Sequence, residues 1–138
     1  MRMVLALVAA AVAFSPALAA DPVTLKAALS GAAEVPAGDP DGTGKASVTV
    51  DAAKGQVCYT LSVSGIDAAT MAHIHKGAAG VAGPVAVALD APATGSATGC
   101  KPVAPEVIAA ILAAPADYYV NVHNAAFPRG AVRGQLGS

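Results

Sequence analysis

The chain has 138 residues, enough for one domain, and 55% of them are hydrophobic. Much of that fraction is alanine, and the rest is swelled by an apolar run, Met3–Ala13, at the extreme N-terminus. The formal net charge of −1 comes without a basic cluster, which excludes a polybasic binder of nucleic acid or anionic lipid.

In chain order, Arg2 provides a short positive region and Met3–Phe14 an apolar one. Ser15-Pro16 then breaks the helix, and Ala17-Leu18-Ala19 or Leu18-Ala19-Ala20 offers small residues for cleavage. The run falls short of the roughly 20 residues that a spanning helix needs. Residues 1–20 are therefore expected to be a cleaved secretory signal, with 21–138 as the single mature domain, secreted or periplasmic. Removing them leaves seven basic and nine acidic residues, a net of −2. No later stretch is apolar enough to span a membrane, because Gly, Pro or a charge interrupts each one.

An oxidising compartment gives meaning to Cys58 and Cys100, which most simply form one intramolecular disulfide. A thiol metal ligand or redox pair is the weaker reading. No C-x-x-C is present, and neither Cys neighbours a His at zinc or blue-copper spacing.

Apolar alternation between turn signals predicts strands at Val23–Ala27, Gly44–Val50, Gly55–Gly65, Thr70–His75, Gly83–Leu89, Tyr118–His123 and Gly130–Leu136. The Pro/Gly/Asp-rich run Glu34–Gly42 reads as a loop. One helix is expected at 105–114, where Pro105 stands at the first position, Glu106 follows, and apolar residues recur at helical spacing. Seven to eight short strands with a single helix argue for an antiparallel, Greek-key β-sandwich, since a parallel sheet would need alternating helices.

His73, His75 and His123 are the three histidines. On a strand, His73-Ile74-His75 sends two imidazoles out of one face about 6.7 Å apart at Cα, with Ile74 turned into the core. In Tyr119-Val120-Asn121-Val122-His123 the valines claim the core, so His123 faces outward as well. If the two strands meet, three imidazoles converge, and such a set suits Cu, Zn, Fe or Ni. A bland alternative is three unrelated histidines, because an H-x-H pair arises by chance.

Met71-Ala72-His73-Ile74-His75-Lys76-Gly77, Gly83-Pro84-Val85, Tyr118–Asn124 and Pro128–Leu136 together resemble the CHRD domain, named from chordin. Glu34-Val35-Pro36 and the Gly-rich loop after it resemble the start of that domain. The resemblance covers nearly all of 21–138. Two departures stand out: Ala131 where an acidic residue is common, and Asn124 where Thr is. Neither is a proposed ligand. The resemblance implies an extracellular, stand-alone bacterial-type domain without fixing its activity.

H-x-H on one strand and a His on a later one is also similar to the copper site of Cu,Zn superoxide dismutases, an architectural analogy. No bridging fourth His exists and Gly77–Gly83 carries no ligand, so no zinc subsite is expected. This similarity implies a copper site of His73, His75 and His123 with superoxide as a small anionic substrate. Arg133 would steer the anion, with Arg129 as the alternative, and Asn121 and Tyr119 would orient an imidazole. The alternatives are a non-enzymatic binding or structural module, a copper carrier, or more remotely a three-His zinc hydrolase.

Overall fold

The computed structural model describes residues 9–14 and 20–138. The expected signal at 1–20 falls largely outside the described residues. No described helix is long and apolar enough to cross a membrane.

Among the described residues, eight strands follow one another with a single α-helix between the sixth and seventh. They are β1 (Val23–Ser30), β2 (Thr43–Asp51), β3 (Gln56–Ser64), β4 (Ala69–Lys76), β5 (Val85–Leu89) and β6 (Ser96–Pro102), then α1 (Pro105–Ala113), β7 (Tyr118–Asn124) and β8 (Val132–Gln135). All pair antiparallel in the order β5-β4-β7-β8-β1-β2-β3-β6. The expected all-β antiparallel architecture is present, and its two layers are halves of one continuous, nearly closed sheet. The joint is narrow, because β8 meets β1 through the single pair Ser30↔Arg133, reinforced by a bridge from Lys26 to Gly137.

The strands form where alternation predicts, since each inward row is apolar. Leu25, Ala27 and Leu29 on β1 join Ala46, Val48 and Val50 on β2 and Val57, Tyr59 and Leu61 on β3. From the other half come Ala72 and Ile74, Val120 and Val122, and Val132. Ile108 and Ile111 bring α1 into the same core. Pro105 begins the helix as expected, because a missing N–H costs nothing at that position. Alanines at 27, 46, 69 and 72 keep this core shallow.

β6 is the strand that periodicity does not predict. Its sequence, Ser-Ala-Thr-Gly-Cys-Lys-Pro, alternates between half-buried and exposed with no fully buried residue. Register places Cys58 opposite Cys100, and the two form the expected disulfide. The edge strands β5 and β6 share no ladder, but polar groups link them. The Tyr59 hydroxyl donates to Asp90 just after β5 (2.7 Å) and accepts from the Asp90 backbone N–H, while Lys101 on β6 pairs with Asp90 at 2.9 Å.

The disulfide closes a loop across 42 positions. The chain-entropy scale then gives it about 4 kcal/mol. Replacing both cysteines by Ser should lower the denaturant midpoint by a corresponding amount. An unmoved midpoint would show that the β3–β6 ladder holds the edge strand without it.

Candidate metal centre

The site forms on the face of β4, β7 and β8 that turns away from the core. With Ala72 and Ile74 inward, β4 presents Met71, His73 and His75. With Val120 and Val122 inward, β7 presents Tyr119, Asn121 and His123. The ladder sets Met71 opposite His123, His73 opposite Asn121 and His75 opposite Tyr119. On the other side of β7, Arg133 lies opposite Asn121 and Gln135 opposite Tyr119.

One ligand atom from each of His73, His75 and His123 lies within 4.8 Å of the others. The convergence expected from the sequence is therefore present, and such a cluster is compatible with a bound metal ion. His73 Nδ1 and His123 Nε2 are the closest pair at 3.3 Å. Among the described residues, no other group of three His, Cys, Asp or Glu comes together in this way.

The outward face is not a solvent face, contrary to simple alternation. All seven β7 residues are buried, His123 included, and so is His75 on β4, because loops fold over them. Those loops also orient the rings. His75 Nδ1 lies 2.9 Å from the Gly83 carbonyl, and His123 Nδ1 lies 2.9 Å from the Pro128 carbonyl. A carbonyl only accepts, so both Nδ1 atoms carry the proton and both Nε2 atoms keep a lone pair. His75 Nε2 is buried without any hydrogen-bond partner, which leaves its lone pair available to a metal ion. Asn121 Oδ1 stands 3.2 Å from His123 Nε2, so with this tautomer the amide must present its NH2 there instead.

Local sequence explains both carbonyl contacts. Gly83 sits so close to β4 that a Cβ would meet the Lys76 carbonyl at 1.7 Å, and its N–H donates to the Tyr119 hydroxyl (3.0 Å). Asn124, fully buried, accepts from the Phe127 N–H and donates to the Asp67 carbonyl, which shapes the turn leading to Pro128. Burial holds the His73 and His75 imidazoles below the usual histidine range. At His73 the neighbouring histidines add to the effect, and at His75 the hydrogen bond given to the Gly83 carbonyl opposes it. Neutral rings are the form that binds a metal.

Tyr119 is stacked on His75, with ring centroids 4.8 Å apart and planes 2° from parallel. Because β4 and β8 flank β7, Arg133 approaches from the other side, with its guanidinium carbon 3.4 Å from the Tyr119 centroid. Arg133 is only 1% exposed and donates from Nη2 to the Ala78 carbonyl (2.8 Å) and to Gln135 Oε1 (3.1 Å). The solvated surface charge that a polar strand face suggests is not what forms. A desolvated cation on a ring is worth about 2 kcal/mol.

Glu34 is the residue that sequence reading missed. It sits in the Pro/Gly-rich loop yet is 6% exposed, and one carboxyl oxygen, Oε1, has no partner. Gly130, at φ +136°, makes room for it, since a Cβ there would lie 2.4 Å from the carboxyl group. Burial pushes the Glu34 carboxyl up to about 7, against the opposing pull of Arg133, Asn121 and the Val35 backbone.

The family model described as CHRD domain matches residues 25–136. The chain belongs to that family. All three histidines and both cysteines of this CHRD domain lie within the matched span, as do Glu34 and Arg133. No curated protein and no solved structure matches the chain.

The raised Glu34 carboxyl sets a sign for stability against pH. The folded protein holds a proton that the unfolded chain releases near 4.5, so this contribution is complete below that pH and is lost as pH rises through about 7. A Glu34→Gln variant escapes the loss. Its melting temperature should gain on the wild type between pH 5 and pH 8, by the equivalent of about 2 kcal/mol. A constant difference across that range would refute the assignment.

Proposed function

We propose that this CHRD domain is an exported copper protein that holds one ion through His73, His75 and His123, with superoxide dismutase-like activity. The lone pair of His75 Nε2, buried and unpartnered beside the other two imidazoles, is the observation that carries the reading. An all-imidazole donor set without thiolate or carboxylate suits copper, and Cu(II) heads the divalent affinity order. The disulfide and the lack of a membrane-spanning helix among the described residues are compatible with export after cleavage of residues 1–20. With three ligating histidines and no fourth in the chain, no zinc subsite is expected.

Copper bound there would supply a one-electron couple, by which two superoxide ions and two protons become dioxygen and hydrogen peroxide. The remaining work falls to the chain. Tyr119 holds the His75 ring by stacking, and Asn121 lies within hydrogen-bond reach of His123. Arg133, with Arg129 as the more exposed cation on the same cavity, favours approach of a small anion beside His75. A copper carrier is the second reading, favoured by the covering loops that bury two of the three rings.

Titration of the metal-free protein with Cu(II) should saturate at one ion per chain and give an EPR spectrum with nitrogen hyperfine structure. The His73→Ala, His123→Ala double variant should bind roughly 100-fold more weakly or worse, since even groups behind the ligands are worth 10- to 100-fold. The loaded protein should outpace an equal amount of free copper in suppressing superoxide-dependent dye reduction. Tight binding without that activity would leave the carrier reading, and weak binding by the wild type would overturn both.

A further inference from the structure

A cavity of about 360 Å³ lies beside the histidines, lined by Glu34, His75, Tyr119, Asn121, Arg129 and Arg133 among others. Its charged groups do not pair with one another. Glu34 and Arg133 feel each other's charge, yet they form no direct ion pair, and the single ion pair among the described residues is Lys101–Asp90 at the far edge of the sheet. Glu34 Oε1, on a side chain more than nine-tenths buried, accepts no hydrogen bond. Arg133 spends Nη2 on Ala78 and Gln135, bonds that do not use its Nη1 and Nε hydrogens. Arg129 adds a second guanidinium with no carboxylate partner.

An acceptor without a donor, next to guanidinium charges without a carboxylate in an ion pair, calls for a ligand that offers both a proton and a negative charge. Above about pH 7, where the Glu34 carboxyl is ionised, a bare anion would answer the guanidinium groups and be repelled by the carboxylate. A water molecule would answer Glu34 and leave two cations uncompensated. A monoanion that keeps a hydroxyl satisfies all of them, because its charge meets Arg129 and Arg133 while its O–H donates to Glu34.

We propose that this cavity binds a small planar oxyanion bearing one hydroxyl, of which hydrogencarbonate is the simplest, with guanidinium N–H groups on its charged oxygens and its hydroxyl donating to Glu34 Oε1. The site deepens the anion role given above to Arg133 and rests on that part of the reading alone, since it needs no metal. Burial, the main cause of the raised Glu34 carboxyl, is in keeping with a pocket largely closed to bulk water.

Nitrate is the discriminating probe, being planar and monoanionic like hydrogencarbonate but without the hydroxyl. Calorimetric titration of the metal-free full chain in mildly alkaline buffer should show hydrogencarbonate binding roughly tenfold or more tighter than nitrate, the range expected for a hydrogen bond to a charged group. Glu34→Leu, close in size but without an acceptor, should bring the two affinities within about twofold while the circular dichroism spectrum is unchanged. Should that variant fail to fold, the wild-type ratio decides alone. Equal affinities in the wild type would overturn the inference and leave a charge-only anion site at Arg129 and Arg133. Binding of neither anion would overturn the anion role of Arg133 as well. Neither result bears on copper, which the titration of the histidines measures separately.

Discussion

Antiparallel registry between β4 and β7 governs the whole site, because alternation allows each residue of these strands only one face. Ile74↔Val120 and Ala72↔Val122 are core pairs, so Met71↔His123, His73↔Asn121 and His75↔Tyr119 must all lie on the opposite side. A slip of one residue would send the valines out and the histidines into the core, at the cost of burying imidazoles among Val and Leu. The apolar rows therefore position the histidines without touching them. Their convergence follows from core packing, with the loop carbonyls of Gly83 and Pro128 adding ring orientation.

The covering of that face by loops changes its chemistry. A sheet with one wet face would present solvated histidines and a mobile arginine. Here the loops bearing Glu34, Ala78, Gly83 and Pro128 take the water away and replace it with fixed backbone acceptors. Nearly every buried polar side-chain atom among the described residues finds a partner. The exceptions are His75 Nε2 and one oxygen of Glu34, both facing the same neighbourhood. Folding alone gains nothing from such exceptions, since an unpaired buried acceptor costs about 1–3 kcal/mol. Their concentration in one place distinguishes a site from a packing fault.

The legibility of each feature in the sequence tracks how local its cause is. Val57-Cys58-Tyr59-Thr60-Leu61 is a strand by its own alternation, and Pro105-Glu106 opens α1 by its own geometry. His73-Ile74-His75 announces two imidazoles on one face for the same reason. β6 stays silent because an edge strand with no fully buried residue has no apolar row to reveal it, and only Cys100 hints at its position. Glu34 is silent for a different reason. An acidic residue in a Pro/Gly loop has every local mark of a solvated turn, and its burial depends on Gly130, nearly a hundred positions away. Arg133 belongs to the same class, its outward direction legible and its covering by the Gly77–Gly83 loop not.

Electrostatics show how little the overall charge says about the site. A chain of net charge −1 has no general attraction for anions. Yet Arg129 and Arg133 border one cavity, with no carboxylate among the described residues in an ion pair with either, and burial raises the single acid there, Glu34, to about 7. The local field is positive because burial suppresses the one negative charge that could cancel it. Stacking of Arg133 on Tyr119, and of Tyr119 on His75, fixes that cation near the imidazole. A salt-screened surface patch would lose such an arrangement to motion and ions, whereas a desolvated one keeps it. The loops that hide the histidines from sequence-level alternation are thus the same ones that keep this positive field from being screened.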